Sequence, residues 1–428
     1  MKFRNFIEHC RKSAILRTVK KEVSQDLEIA AVLKSLDGRP VLFENVAGSK
    51  YAVVGGLYSS RDLVTEALEI GKSEMIRVLS GAIENHTKNE VVDSAPCQEI
   101  IESGVDLDKL PILRYFPRDG GRYVTSGLAI TSDPEMGQNL CYHRLMQIGK
   151  NRFTARICEG RGTDTFLKRA GGELDIAISV GNSAAVMIAG AISAKKGVNE
   201  LEIANSLEQT PVVKCKTKDL YVPADCEVVL EGRILAETVD EGPFVDLTET
   251  YDIIRKQPVI EITKITHRKN PVFEALLPGG LEHKLMMGMP MEPTIYHAVS
   301  KVCRCKNVAI TEGGCSWLHA VVQIEKKNDG DARSAIDAAF EAHKSLKHCV
   351  VVDGDIDIYD MKDIEWALAT RAQADRAKIF KAKGSSLDPS ADEQTRMTSK
   401  AGIDATMHGD RKKFEKVAYK KVNPGDYV

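Results

Sequence analysis

The 428-residue chain has almost no charge imbalance: 59 Lys and Arg stand against 61 Asp and Glu, a net charge of -2. A protein that tracks the phosphates of a nucleic acid carries a basic excess, so the charge argues against that class of partner. No run approaches the roughly 18 apolar residues that a membrane span needs. The first sixteen residues carry charges early and lack an apolar signal stretch, and the expectation is a cytoplasmic protein with no membrane partner. The ten cysteines contain no CxxC, and Cys303 and Cys305 are the nearest pair. That spacing argues against a zinc or iron-sulfur centre and for free thiols in a reducing compartment. No GxGxxG is present, and there is no Schiff-base lysine motif. Gly71-Lys72-Ser73 resembles the end of a phosphate-binding loop, but Glu66 stands where that loop needs its first glycine. Aromatic residues make up only 6%, few for a site that encloses a large aromatic substrate.

What remains is ordinary globular chemistry, 43% apolar and 28% charged, in a chain long enough for two or three cores. The periodicity gives an α/β (α+β) protein in three parts. Residues 1–110 form an N-terminal α/β domain, with helices expected over 26–36 and 62–82 and strands over 41–43 and 51–54. Residues 111–305 are strand-rich, with strands expected over 123–130, 139–148, 153–157, 176–180, 227–234 and 259–266 and a short helix over 198–207; such a region suggests a closed or split barrel. Residues 306–428 return to α/β, with strands over 308–310, 320–324 and 350–352. A helix over 334–347 is expected there, with Ser334 and Asp337 as its capping pair. The acidic run Asp353-Gly354-Asp355-Ile356-Asp357 lacks the glycine and glutamate of a calcium loop and reads as structural. The charged tail from residue 410 contains no long helical pattern.

The chemistry concentrates at Glu241-Gly242-Pro243-Phe244-Val245-Asp246, where a Gly-Pro turn after a strand presents two carboxylates on backbone that can be held rigid. Upstream stand Asn139-Leu140-Cys141-Tyr142-His143-Arg144, Gly149-Lys150-Asn151, Arg156 and Arg161-Gly162. Downstream stand Val212-Val213-Lys214-Cys215, Leu220-Tyr221-Val222-Pro223-Ala224, Glu231-Gly232 at an expected strand end, and Ser399-Lys400-Ala401-Gly402-Ile403-Asp404-Ala405-Thr406.

In this order the blocks resemble the UbiD family of decarboxylases that use prenylated FMN, over residues 100–406. The resemblance implies that the central part is a flavin-binding split β-barrel. It implies three catalytic residues: Arg144 to hold the substrate acid, Glu241 to orient Arg144, and Asp246 to deliver the proton that replaces carbon dioxide. It implies Asn139 and Glu200 as oxygen ligands to Mn²⁺ or Mg²⁺, with Glu202 the alternative to Glu200, and a possible K⁺. Arg156, Arg161 and Lys400, with Arg144, fall on the cofactor-binding positions. Gly160 stands where the family often has a third, histidine ligand; either Glu159 substitutes or phosphate and water fill the place. Lys150, Arg152, Arg156 and Arg161 are more cations than one flavin phosphate requires, and an exposed basic strand edge is the other reading of them.

Short members of the family act on trans-anhydromevalonate 5-phosphate to give isopentenyl phosphate, and a phosphorylated unsaturated acid is the implied small-molecule substrate. His283 and Lys284 are candidates to reach its phosphate. The alternatives are 4-hydroxy-3-polyprenylbenzoate or another aromatic acid, or a non-catalytic flavin-binding protein or carboxylase subunit. The resemblance further implies a homo-oligomer and a flavin prenyltransferase as cofactor supplier.

Overall fold

A computed structural model of the chain describes residues 1–417, 419–420 and 422–427. It packs as two units. The first comprises Met1–Pro293 with Glu312–Trp317 and Leu387–Pro389, the second Thr294–Thr311, Leu318–Ser386 and Ser390–Val428. No described helix is long and apolar enough to cross a membrane.

The first unit is built on an antiparallel nine-stranded sheet. Its strands are β1 Ile100–Ile101, β2 Tyr123–Val124, β3 Leu128–Asp133, β4 Gly137–Tyr142, β5 Leu145–Gln147, β6 Arg152–Ala155, β7 Leu174–Val180, β8 Val228–Glu241 and β9 Arg255–His267. They lie in the order β2-β5-β6-β9-β8-β7-β3-β4, with β1 against β9. Ile176, Ile178 and Val180 of β7 point into one core with Leu230, Ile234 and Ile260, as period-two alternation demands. Burying each such side chain contributes about 1.5–3 kcal/mol. A second, four-stranded sheet joins Arg17–Val19, Val41–Phe43, Ala52–Gly55 and Val272–Glu274. The helix Phe3–Lys12, which no sequence expectation covered, buries Phe3, Phe6, Ile7 and Cys10 at helical spacing.

Several boundaries differ from expectation, each for a local reason. The strand expected to end at residue 234 runs on to Glu241. It shifts register at Gly232, where a Cβ would lie 2.2 Å from the Glu261 carbonyl oxygen, and again between Ile234 and Thr238, and this second irregularity falls where the strand looked as if it ended. The expected strands over 123–130 and 139–148 are each interrupted, the second at His143 and Arg144, which leave the ladder between β4 and β5. The helix expected over 62–82 divides into Arg61–Leu68 and Met75–Glu84, separated by Glu69 in the left-handed region at φ 59° and by Gly71.

The second unit holds a five-stranded sheet in the order Cys305–Ile310, His319–Ile324, His348–Asp353, Met397–Ala405, Lys378–Lys383. Its helix runs over Asp331–Ala342 rather than 334–347. Asp331 accepts the amides of Lys327 and Asn328 at 2.7 and 2.9 Å. The Ser334 amide is already bonded to Gly330 at 3.0 Å and Asp337 pairs with Lys378, so neither caps the helix. The acidic run is structural: Arg371 bridges to Asp355 at 2.6 Å, and the Met407 amide donates to Asp353 at 2.6 Å. The tail from residue 410 forms short turns at Arg411–Phe414 and Pro424–Asp426; residues 418, 421 and 428 lie outside the described residues.

Candidate active site

Arg144 sits at the bend between β4 and β5, and Glu241 is the last residue of β8. The sheet therefore carries both to one place although 97 positions separate them. The Arg144 Nε and Nη2 each donate to a Glu241 oxygen at 2.9 Å, a two-bonded fork. Glu241 is fully buried and also accepts the Tyr123 hydroxyl at 3.3 Å. After Glu241, Gly242 adopts φ 99°, a conformation open to glycine. Gly120 packs so closely on it that a Cβ there would lie 2.2 Å from the Gly242 oxygen. This turn delivers Phe244, 5.1 Å beneath the Arg144 guanidinium, and then Asp246, whose Oδ2 lies 3.6 Å from Arg144 Nη1. Asp246 keeps 24% of its side chain exposed, while its Oδ1 accepts the Leu247 amide at 2.8 Å. Burial would lower the Arg144 pKa, but the bonds and charge of Glu241, followed by Asp252 and Asp246, hold it above its ordinary value.

The structure adds groups that the motif did not include. Asp252 Oδ2 accepts from Arg144 Nη2 at 3.0 Å and from Arg255 Nη1 at 2.5 Å. Burial pushes the Asp252 carboxyl up, but the Arg255 bond and the two guanidinium charges bring it below the usual range. The only sequence signal was an acid six positions after Asp246 with an arginine three further on. Asp119, which accepts the amides of Tyr115 and Phe116 at 3.2 and 2.8 Å, is pushed up to about 6 by burial.

Asn139 and Glu200 lie on β4 and on the helix Glu200–Leu207. Glu200 Oε2 accepts the Leu140 amide at 2.8 Å, next to Asn139, and burial pushes its carboxyl up to about 8. Among the described residues no lysine or arginine is ion-paired to it. A buried carboxylate without a counter-charge, beside an amide oxygen donor, fits a hard divalent cation. Glu202 is engaged elsewhere, by His86 at 3.0 Å and Lys88 at 2.7 Å. No three His, Cys, Asp or Glu side chains among the described residues are grouped to hold a metal ion. Glu159 is exposed, and Gly160 donates its amide to Asp164 at 2.7 Å in a positive-φ turn.

Beside Asn139, the Cys141 sulfur lies 3.4 Å from His143 Nε2 and 3.2 Å from Thr163 Oγ1. Burial raises the Cys141 thiol, but the charge and bond of His143, with Thr163 and Asn139, leave it below its ordinary value.

The cations divide. Arg156 and Arg161 make only weak demands on the protein, Arg156 to the Ile157 carbonyl at 2.9 Å and Arg161 to Ser193 at 3.4 Å, so both keep donors to offer. Lys150 is exposed. Arg152 is committed to Glu237 and Glu261, each at 3.3 Å, and Lys284 to Glu249 at 2.5 Å. His283 takes the Gly279 amide on Nδ1 at 3.1 Å. Its pKa is lowered, chiefly by burial, against the pull of Asp246. Lys400 lies in the second unit, where it bonds the Lys344 carbonyl and stands 5.7 Å over Phe340. There it lines a cavity of about 630 Å³ with Asp337, Lys378 and Phe380.

Residues 7–83, 89–281 and 284–405 match the N-terminal, Rift-related and C-terminal domains of 3-octaprenyl-4-hydroxybenzoate carboxy-lyase, UbiD. The anhydromevalonate phosphate decarboxylase of Methanosarcina mazei is 46% identical over 413 residues, 95% of this chain and 96% of that protein. The enzyme of the same name from Methanocaldococcus jannaschii is 42% identical over 387 residues, 89% and 91% of the two chains. Among solved structures, the UbiD-class enzyme HmfF from Pelotomaculum thermopropionicum in complex with FMN superposes with a TM-score of 0.96 at 38% identity, covering all of both chains. An evolved dimeric form of HmfF in complex with prFMN gives 0.92 at 36% identity, again over all of both chains.

Proposed function

The chain belongs to the UbiD family of carboxy-lyases, and on that premise we infer that it decarboxylates an α,β-unsaturated acid. The substrate is trans-anhydromevalonate 5-phosphate and the products are isopentenyl phosphate and carbon dioxide, a step toward isoprenoid precursors. The observation that carries the chemistry is the asymmetry around Arg144: the buried Glu241 is bonded to it through both oxygens, whereas the part-exposed Asp246 stands beside its remaining Nη1. The substrate is supported by the relatives at 46% and 42% identity.

Arg144 Nη1 receives the substrate carboxylate, and Glu241 keeps the guanidinium from rotating away. Asp246 has the exposure to donate a proton to the carbon that loses carbon dioxide. Prenylated FMN, when bound, supplies the electron sink that no side chain offers; the FMN and prFMN complexes of HmfF support it as the cofactor. Arg156 and Arg161 would hold its phosphate, and Asn139 and Glu200 a Mn²⁺ or Mg²⁺ ion, with K⁺ as a further ion. A flavin prenyltransferase supplies the cofactor. A three-part division at about residues 110 and 305, a homo-oligomer and a cytoplasmic location complete the reading; the dimeric HmfF supports the oligomer.

The test offers cofactor-loaded protein trans-anhydromevalonate 5-phosphate and 4-hydroxybenzoate side by side. Isopentenyl phosphate from the first alone supports the reading. Carbon dioxide from the second alone moves the enzyme to aromatic acids, and silence from both with mature cofactor present makes it a flavin-binding protein.

A further inference from the structure

Arg144 has five N–H groups to place. Nε and one hydrogen of Nη2 go to Glu241, and the other hydrogen of Nη2 goes to Asp252 Oδ2 at 3.0 Å. That leaves Nη1, which stands 3.6 Å from Asp246 Oδ2, beyond hydrogen-bond distance. Asp252 is itself fixed from two sides: its Oδ2 takes Arg255 Nη1 at 2.5 Å and its Oδ1 takes the Ile253 amide at 2.9 Å. Its backbone is paired too, since Tyr251–Asp252 forms a two-stranded ladder with Phe244–Val245, Asp252 opposite Phe244. The segment that carries Phe244 under the guanidinium thus also fixes the acid at its edge.

We propose that Asp252, anchored by Arg255, is a positioning residue that closes the Nη2 edge of Arg144, so that the substrate carboxylate is taken on Nη1 alone, next to Asp246. This rests on the reading that Arg144 receives that carboxylate. An arginine with both Nη groups open grips a carboxylate as a two-bonded fork. With Nη2 closed, the grip is weaker and the acid end lies where the proton donor is. Binding is given up in the ground state and geometry is gained for the reaction, the trade that raises turnover rather than affinity. Opening Nη2 lets the substrate turn toward the wrong edge, where it binds more tightly and reacts more slowly.

The experiment compares Asp252→Ala, Asp252→Asn and Arg255→Gln in the cofactor-loaded enzyme, with flavin content and melting temperature measured on each. Asp252→Ala should lower kcat about ten- to hundredfold, the scale of a small misplacement, and should also lower KM, a split that a structural strut would not give. Asp252→Asn keeps an oxygen acceptor for Nη2 and should recover most of both constants. Arg255→Gln should act in the same direction more weakly and add little to Asp252→Ala. A binding arm needs no turnover: the saturated analogue of the substrate, followed by the change in flavin absorbance, should bind Asp252→Ala more tightly than the parent. Unchanged kinetics, equal damage from Ala and Asn, or loss of flavin and fold in both would overturn the proposal. A parent enzyme silent on the acid with mature cofactor strikes the functional reading instead, and the binding arm still decides the role of Asp252.

Discussion

Glu241 and Glu274 are both fully buried acids in the first unit, and their surroundings are opposite. Glu241 meets a guanidinium with two hydrogen bonds. Glu274, on the strand Val272–Glu274, has no cation ion-paired to it among the described residues; only the backbone amides of Gly181 and Asn182 favour its charge, and its charged neighbour is another acid, Glu282, which accepts the amides of Gly56 and Tyr58 at 2.8 Å each. Burial, then the Glu282 charge, pushes Glu274 well above the usual carboxylate range, and burial pushes Glu282 up to about 7. The fold treats one acid as a charge to be matched and the other as a neutral group. The matched charge is the one bonded to Arg144, the proposed carboxylate-binding residue.

The difference predicts opposite responses to the same kind of substitution. Glu241→Ala leaves Arg144 short of its main partner and should destabilise the first unit by about 3 kcal/mol or more, read in urea unfolding. Glu200 stands between the cases, a buried acid that accepts the Leu140 amide and is a proposed metal ligand. Glu200→Ala should lower manganese affinity about tenfold or more, measured by metal analysis after dialysis, with little loss of fold.

Glu274→Met should be neutral or stabilising by about 1–2 kcal/mol, and its effect depends on pH. The folded pKa of Glu274 and Glu282 lies above the ordinary carboxyl value of 4.5. The folded state therefore keeps protons the unfolded chain has shed, and stability falls as pH rises from about 4.5 through 7 and beyond. The variant should lose less over that range, as melting temperatures at pH 5 and 8 would show. Asp119, raised from 3.8 to about 6, has the same sign: the advantage of Asp119→Asn over the parent should grow by up to about 2 kcal/mol as pH rises from 4 to 6. A Glu241→Ala protein as stable as its parent, or a Glu274→Met protein that melts early at pH 8, would break the comparison.

Local motifs carried the site because its parts are short and each keeps its own signature. Arg144 lies in one block and Glu241 and Asp246 in another, and the sheet had only to bring the two blocks together. Asp252 was not legible, since its role depends on Tyr251–Asp252 folding back on Phe244–Val245, a pairing two residues long with no periodicity to read. Glu274 was hidden for a similar reason: its burial comes from pairing with Val54 in a sheet begun some 220 residues earlier. Periodicity found the strands of the central sheet but ran through the interruption at His143 and Arg144, because the apolar alternation continues across the bend that aims the arginine. The helix begins at Asp331, three residues before Ser334, where the Asp331 carboxylate ties back the preceding loop by accepting the Lys327 and Asn328 amides.

Asp246 is the proposed proton donor beside Arg144. Asp246→Asn in cofactor-loaded enzyme should lower kcat by about 10²–10⁴-fold, the usual scale of a lost general acid, with flavin content unchanged. Near-parental turnover, or turnover and flavin lost together, would contradict it.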